Sequence, residues 1–391
     1  MKFNKYNPIH ILIYLFGTFI FKCVYLIKKF GLIHKKPVII LYGHKLYGNL
    51  KSIYSSLETT DYEFYFLTLD FNVYKKLRKN SIQVLYGLNI FHVYSVISSK
   101  LIITDHGLHF MKILTKDSDY YVFDANHGLP FQKWNESMVS QFYDYKEVWL
   151  SSTFHKMVYE NEFNYKRDNI VVTGFGRLDY LKIYNKSNNK SGLEKQIKNK
   201  YNIFTNSKLI LYAPTWVHNK RKVKNEFMIP ENYNFIEYLD LLAEKLKVKI
   251  IFRPHLNTIL SKQFIKKINE LENILYFPFD KYEEAEDFLL ISDILLTDWS
   301  SISLDYILLD RPTIFLDVEN SFPMGVFQEE ILRFGNICNS NNLYDVLKNY
   351  LVDDKEYLKN CKQHKITQKI IYDDIYKEVS NNYISRIKKY I

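Results

Sequence analysis

A chain of 391 residues exceeds one ordinary core and divides into two domains of about 150–180 residues. Its 47% hydrophobic and 25% charged residues exclude a disordered chain, and its net charge of +10 favours polyanions, anionic lipid headgroups or phosphorylated substrates as partners. The three cysteines, Cys23, Cys338 and Cys361, have neither CxxC nor metal-ligand spacing; they fit reduced cytosolic thiols and exclude a disulfide scaffold.

From the N-terminus, "IHILIYLFGTFIFKCVYLI" (9–27) is apolar apart from His10, Thr18 and Lys22, with Lys2 and Lys5 before it and Lys28, Lys29, Lys35 and Lys36 after it. No small-residue cleavage site follows, so a removed signal peptide is not expected. A spanning helix needs roughly 20 apolar residues, and Lys22 interrupts this one. The segment predicts a helix lying in the cytoplasmic membrane interface; a true span and a buried core helix are the alternatives. In either membrane reading the heavier lysine cluster on the C-terminal side keeps the following domains in the cytoplasm.

From residue 37 short apolar runs alternate with helical stretches: "PVIILYGH" (37–44), "YEFYFLTL" (62–69), "IQVLYG" (82–87), "KLIITDH" (100–106), "YYVFDANH" (120–127), "EVWLSS" (147–152) and "NIVVTGF" (169–175). Nearly continuous apolar runs are the signature of strands covered on both faces of a parallel sheet. Residues 183–206 are polar and rich in Lys and Asn and read as a linker with a short helix. A second series follows: "KLILYAPTW" (208–216), "VKIIFRPH" (248–255), "NILYFPF" (273–279), "DILLTDW" (293–299) and "PTIFLDV" (312–318). Helical spacing marks 235–247 and 303–310, and the C-terminal segment reads as helical. Two such βα series describe two Rossmann-like domains facing a cleft.

In open parallel sheets ligands lie beyond the carboxyl ends of the strands. The distinctive polar residues fall there: His44 and Lys45, Asp105 and His106, His127, Thr215, Arg253 and His255, and Asp298 through Ser301. In "TDWSSISLDYILLD" (297–310), Ser300 and Ser301 stand at a predicted helix start with Asp305 one turn in. A helix start offers unpartnered N–H groups to an anion; an ordinary serine cap is the alternative. Asp305 is placed to accept from a sugar or ribose hydroxyl. "FRPHLN" (252–257) sets Arg253 and His255 two apart on one side of a strand end, a cradle for pyrophosphate or simply a charged loop. "NHGLPFQKW" (126–134) offers His127 as a proton acceptor at neutral pH, beside Gly128, which permits close approach, and Lys133; a structural loop histidine is the alternative.

"TGFGRLD" (173–179) lacks the third glycine of a dinucleotide fingerprint and reads as an elbow, with Arg177 pairing Asp179 or contacting ligand. The basic run "HNKRKVK" (218–224) attracts an anionic acceptor or lipid surface, or is merely solvated. "DSD" (117–119) looks like a sugar-transferase metal motif but precedes its strand instead of ending one. HExxH, GxSxG and GxxxxGK[ST] patterns are absent, and the dispersed basic residues argue against nucleic acid.

Taken in order, these motifs resemble those of the CDP-glycerol glycerophosphotransferase family, the teichoic-acid and capsule polyol-phosphate transferases. That family shows a His-Gly-Thr-Pro-type segment, TGxPRxD, ILYAPTW, a Lys/Arg–His-Pro segment and TDYSSxxFDxxLLxKP. Here "NHGLPFQKW", "TGFGRLD", "LILYAPTW", "FRPHLN" and "TDWSSISLDYILLDRP" stand in those places, with "LYGHKLYGNLKSIYSSL" (41–57) as a weaker N-terminal counterpart. Leu129, Gly176, Val217, Leu256 and Trp299 depart from the pattern.

The resemblance implies a GT-B-like α/β fold: a membrane-associating helix (1–30), an acceptor domain (31–182), a linker (183–206), a nucleotide-donor domain (207–365) and a C-terminal helix (366–391). It implies a phosphotransferase for substituted phosphate groups. Glycerol phosphate, or a similar polyol phosphate, moves from a CDP-activated donor to a lipid-linked glycan or growing cell-surface polymer, with CMP released. His127 and His255 are then catalytic, and Arg253, Thr215, Asp298, Ser300, Ser301 and Asp305 bind the donor phosphates. Gly128, Arg177, Asp179 and Lys133 complete the cleft, with no metal or other cofactor. The expected location is the cytoplasmic membrane face, peripheral or monotopic. A nucleotide-sugar glycosyltransferase or UDP-sugar 2-epimerase of the same fold is the alternative, and a non-catalytic membrane scaffold a more distant one.

Overall fold

The apolar runs between residues 36 and 172 form strands β1 (Lys36–Tyr42), β2 (Glu63–Thr68), β3 (Val84–Tyr86), β4 (Ser99–Thr104), β5 (Tyr121–Asp124), β6 (Glu147–Leu150) and β7 (Ile170–Val172). They pair in parallel as a 7-stranded sheet of order β3-β2-β1-β4-β5-β6-β7. Ile39, Ile40 and Leu41 are successive and all 0% exposed, so both faces of the central strand are covered. That burial is why the run is apolar without alternation.

The computed structural model describes residues 7–133, 145–163, 165–216, 228–255, 257–320, 322, 324–353, 357, 359, 361–373 and 379–391. It divides into two units: one takes its described residues from Met1–Gly128, Glu136–Arg177 and Glu378–Ile391, the other from Leu129–Asn135 and Leu178–Lys377. In the second unit β8 (Leu209–Tyr212), β9 (Lys249–Phe252), β10 (Ile274–Tyr276), β11 (Ile294–Thr297), β12 (Thr313–Leu316) and β13 (Asn336–Cys338) form a parallel sheet of order β10-β9-β8-β11-β12-β13. Strand β13 is absent from the sequence reading. It has three residues, and only Cys338 among them is buried, so no apolar run announces it. Helices Asp179–Lys186 and Lys190–Lys200 occupy much of the polar segment read as a linker.

Helix α1 (Pro8–Lys29) begins with Asn7 accepting from the Ile9 amide and with Pro8 in the first turn, the usual start of a helix. Gly17, Ile20, Phe21, Val24 and Tyr25 form its buried side, packed on helix Ile90–Ser98 and on the 3-10 turn His109–Lys116. Its end is clamped: Lys28 Nζ lies 2.5 Å from Asp117 and 2.9 Å from Asp119, and Tyr25 donates to Asp117 at 2.8 Å. The "DSD" segment therefore anchors this helix.

Helix Ser380–Ile387 completes the core of the first unit. Tyr383 is fully buried, stacks on Trp149 at 5.2 Å between ring centroids, and accepts from the Gly176 amide at 2.7 Å. Beside it the buried Glu147 receives Arg386, Trp149 Nε1 at 2.8 Å and Tyr390 Oη at 2.6 Å. Truncating Tyr383 to Ala leaves a cavity and an orphaned amide. We expect it to cost about 3–5 kcal/mol in the first unit's urea transition; an unchanged midpoint would show that the helix does not hold the unit together.

Candidate functional site

Strand order reverses between β1 and β4 in the first sheet and between β8 and β11 in the second. At such reversals the following loops diverge and leave room for a ligand. In the first unit the loops there carry His44 after β1, Asp105, His106 and His109 after β4, and His127 after β5. The imidazoles adjoin one another. His106 stacks on His127 at 4.5 Å between centroids and 10° between planes, His44 lies 5.1 Å from His106, and His109 lies 5.6 Å from His44.

The His127 loop is fixed from below. Asn126 has a left-handed backbone (φ 51°), and its Oδ1 accepts from the amides of His127 at 2.7 Å and Gly128 at 2.9 Å. Asn49 is buried and donates to the Asn126 carbonyl at 2.9 Å, and Arg177 donates to the His127 carbonyl at 3.4 Å. His127 Nδ1 is 3.0 Å from the Asp105 carbonyl oxygen, which can only accept. Nδ1 therefore carries the proton, and Nε2 keeps its lone pair. Solvent reaches the residue although protein crowds its ring. Burial, then the facing His106, pushes its pKa down to about 4, so the imidazole is neutral at pH 7. Behind it, burial pushes the Asp124 carboxyl up to about 7.

In the second unit the reversal is closed by Asp298. This buried carboxylate accepts from the amides of Thr215 at 2.7 Å and Trp299 at 2.6 Å, tying the end of β8 to the end of β11. Burial pushes it up to about 6, against those two N–H bonds. Asp298 thus holds the turn that presents Ser300 and Ser301. Ser301 stands at the start of helix Ile302–Tyr306 but makes no side-chain capping bond, so its hydroxyl is not used as a cap; Asp305, in that helix, is buried. Trp299 also faces inward, donating to the Val318 carbonyl at 2.6 Å under the Arg333 guanidinium, 4.2 Å from its ring.

Arg253 is 5% exposed, sits between the rings of Phe279 and Phe288, and donates to the carbonyls of Phe277 and Glu283. Among the described residues it makes no ion pair, and burial pushes its pKa down to about 10. A buried guanidinium without a contacting carboxylate is costly until an anion reaches it. Exposed His255 accepts at Nδ1 from the Asn257 amide at 3.1 Å, so its proton is on Nε2 and that nitrogen is a donor.

Of the other sequence candidates, Lys133 is exposed, with its amide bonded to the Gly325 carbonyl, and the buried Asp179 lies 3.7 Å from Lys182. Gly128 and Arg177 are half-buried. The run 218–224, with Val217 and Leu256, lies outside the described residues. Asn49, Asn126, Asp105 and His106 were not assigned roles by sequence reasoning. The one available signal was that "TDHG" (104–107) ends its strand as "ANHG" (125–128) does.

Residues 25–377 match the family described as CDP-Glycerol:Poly(glycerophosphate) glycerophosphotransferase. The chain belongs to this family. It is 29% identical over 229 residues to the teichoic acid glycerol-phosphate transferase of Staphylococcus aureus (strain NCTC 8325 / PS 47), covering 56% of this chain and 54% of that protein. It is 29% identical over 158 residues to a teichoic acid poly(glycerol phosphate) polymerase of Bacillus spizizenii (strain ATCC 23059 / NRRL B-14472 / W23), covering 40% and 37%. The chain spans about half the length of the first relative and less of the second. Its fold is similar to that of a variant of the wall teichoic acid polymerase TagF, with TM-score 0.72 at 16% identity over 95% of this chain and 94% of that one. It is also similar to UDP-GlcNAc 2-epimerase from Neisseria meningitidis, with TM-score 0.58 at 15% identity over 90% and 99%. These likenesses show the GT-B-like α/β fold.

One departure from the glycerophosphotransferase pattern has a local cause. A Cβ at Gly176 would stand 2.1 Å from Ser52 Oγ and 2.8 Å from the Tyr383 ring, so the proline common there does not fit. For the turn after β11, Asp298→Ala leaves buried amides without an acceptor, and we expect a loss of about 1–3 kcal/mol in the second unit's urea transition. Asp298→Asn keeps an oxygen there and should lose less. Equal losses would mean that the carboxamide cannot replace the acceptor.

Proposed function

We propose that the chain transfers glycerol phosphate, or a similar polyol phosphate, from a CDP-activated donor to a hydroxyl of a lipid-linked glycan or growing cell-envelope polymer. The acceptor oxygen attacks the β-phosphorus in line, its proton passes to His127 Nε2, and the bond from that phosphorus to the bridging oxygen breaks to release CMP. The observation that carries this reading is the tautomer of His127: with Nδ1–H held by a main-chain carbonyl, the ring is a neutral acceptor.

Donor binding falls to the second unit, where each group suits a pyrophosphate. Arg253 supplies buried positive charge, His255 an Nε2–H donor, and Ser300 and Ser301 hydroxyl donors. Such positioning needs only hydrogen bonds and fixed charge on the leaving phosphate. Incubation with CDP-glycerol and a lipid-linked acceptor should release CMP. His127→Ala should lower kcat by about 10²–10⁴-fold and leave the donor KM within a few-fold. Undiminished turnover in a folded His127→Ala protein would remove the base assignment, and turnover of UDP-sugars in place of CMP release would remove the donor.

We further propose that α1 lies on the cytoplasmic membrane face. It is the one helix among the described residues long and apolar enough to cross a membrane, with mean hydropathy 1.9. One side of it is buried in protein and its end is ion-paired, which favours an in-plane position over a span. Ile9, Leu12, Leu15, Phe16, Phe19 and Leu26 form the exposed apolar side. Leu12→Glu with Phe16→Glu and Phe19→Glu should move the protein from the membrane pellet to the soluble fraction with unchanged CMP release in detergent. A persistent membrane fraction would place the anchor elsewhere.

A further inference from the structure

The histidines around His127 exceed what the transfer requires. One proton acceptor suffices, yet His44, His106 and His109 stand beside it, and no group of three or more metal-ligating side chains among the described residues is arranged to hold a metal ion. His106 has a specific relation to the base. Its ring lies face to face with His127, and its Nδ1 is 2.8 Å from Asp105 Oδ1. The same Asp105 gives its carbonyl oxygen to His127 Nδ1. A single residue therefore adjoins both rings: its carboxylate lies beside His106 Nδ1 as a charge neighbour without hydrogen-bond alignment, and its carbonyl accepts from His127 Nδ1.

We propose that His106, beside Asp105, is a positioning residue that keeps the first proton of the stacked imidazole pair on itself and so leaves His127 free to act as the base. Two imidazolium rings stacked this closely repel, so the pair accepts one proton readily and a second only at lower pH. The Asp105 carboxylate stabilises a charged His106, whereas His127 has a carbonyl partner at Nδ1. The first proton accordingly goes to His106. Other groups facing the pair are His44, with His109 behind it, the Tyr47 ring 6.2 Å from His106, the buried Asp124, the Arg177 guanidinium on the His127 carbonyl, and His155 beneath. Among these, His106 is the group stacked face to face on the base. This inference deepens the proposed role of His127 and rests on that reading, but its first test does not require turnover.

His106→Gln removes the titrating ring while keeping a polar side chain beside Asp105. With histidine-selective isotope labelling, the His127 ring should titrate at a higher pH in His106→Gln than in the native protein, by about half a unit or more. The sign follows from the charge removed: without a cation in the stack, His127 binds its proton more readily. The acid limb of the kcat/KM profile should move to higher pH by the same amount. The fractional loss in the variant then grows as pH falls toward the His127 midpoint and vanishes at neutral pH. A purely structural role would lower activity by one factor at every pH and leave the His127 midpoint in place, which would overturn the proposal. Failure of the base assignment is separable: His127→Ala would then retain turnover, whatever the His106→Gln titration shows.

Discussion

The hydrogen bond from His127 Nδ1 to the Asp105 carbonyl determines which nitrogen of that ring is basic, and the proposed chemistry of the first unit depends on it. Its geometry is set by the sheet. Strands β4 and β5 are parallel neighbours with Thr104 paired to Asp124, so the residues following each strand emerge side by side. Asn126 then turns the chain through a left-handed conformation, with its side-chain oxygen replacing the β-ladder for the next two amides. Remove the parallel register or the Asn126 turn, and nothing directs the imidazole at that carbonyl.

The second unit solves a related problem by other means. Its reversal is bridged by a buried carboxylate, Asp298, whose bonds to Thr215 and Trp299 are internal. The residues that sequence reading grouped as donor-binding thus divide by environment. Asp298 is consumed in shaping the turn, while the Ser301 side chain makes no capping bond. Arg253 is intermediate, since its donors touch carbonyls while it makes no ion pair among the described residues.

That division explains how far the sequence could be read. The strands were legible because runs such as "PVIILY" are buried on both faces, and the edge bearing the chemistry followed from where those runs end. The fifteen residues of "TDWSSISLDYILLDR" were legible as a motif, but nothing in them says which polar groups turn inward; that depends on Thr215 and Arg333, distant in sequence. Likewise "TDH" and "NH" each read as a strand-end turn, but their stacking is a product of strand adjacency. Strand β13 and the clamp of Lys28 on Asp117 and Asp119 left no periodic trace.

The clamp bears on how helix α1 and the histidine-bearing edge are joined. Helix α1 packs on the 3-10 turn His109–Lys116, with Phe21 and Phe110 edge to face at 5.5 Å, and the turn begins at the histidine that adjoins His44. From the buried side of the helix to the imidazole row, the path is therefore a short series of aromatic contacts within one unit: Phe21, Phe110, Tyr42, His109, His44 and His106. Close-packed aromatic rings resist independent movement. If α1 is seated in a lipid interface as proposed, this packing holds the histidine edge at a fixed height above it. Under the proposed seating of α1, its exposed stripe would meet the membrane while its buried stripe passes that position to the histidine edge.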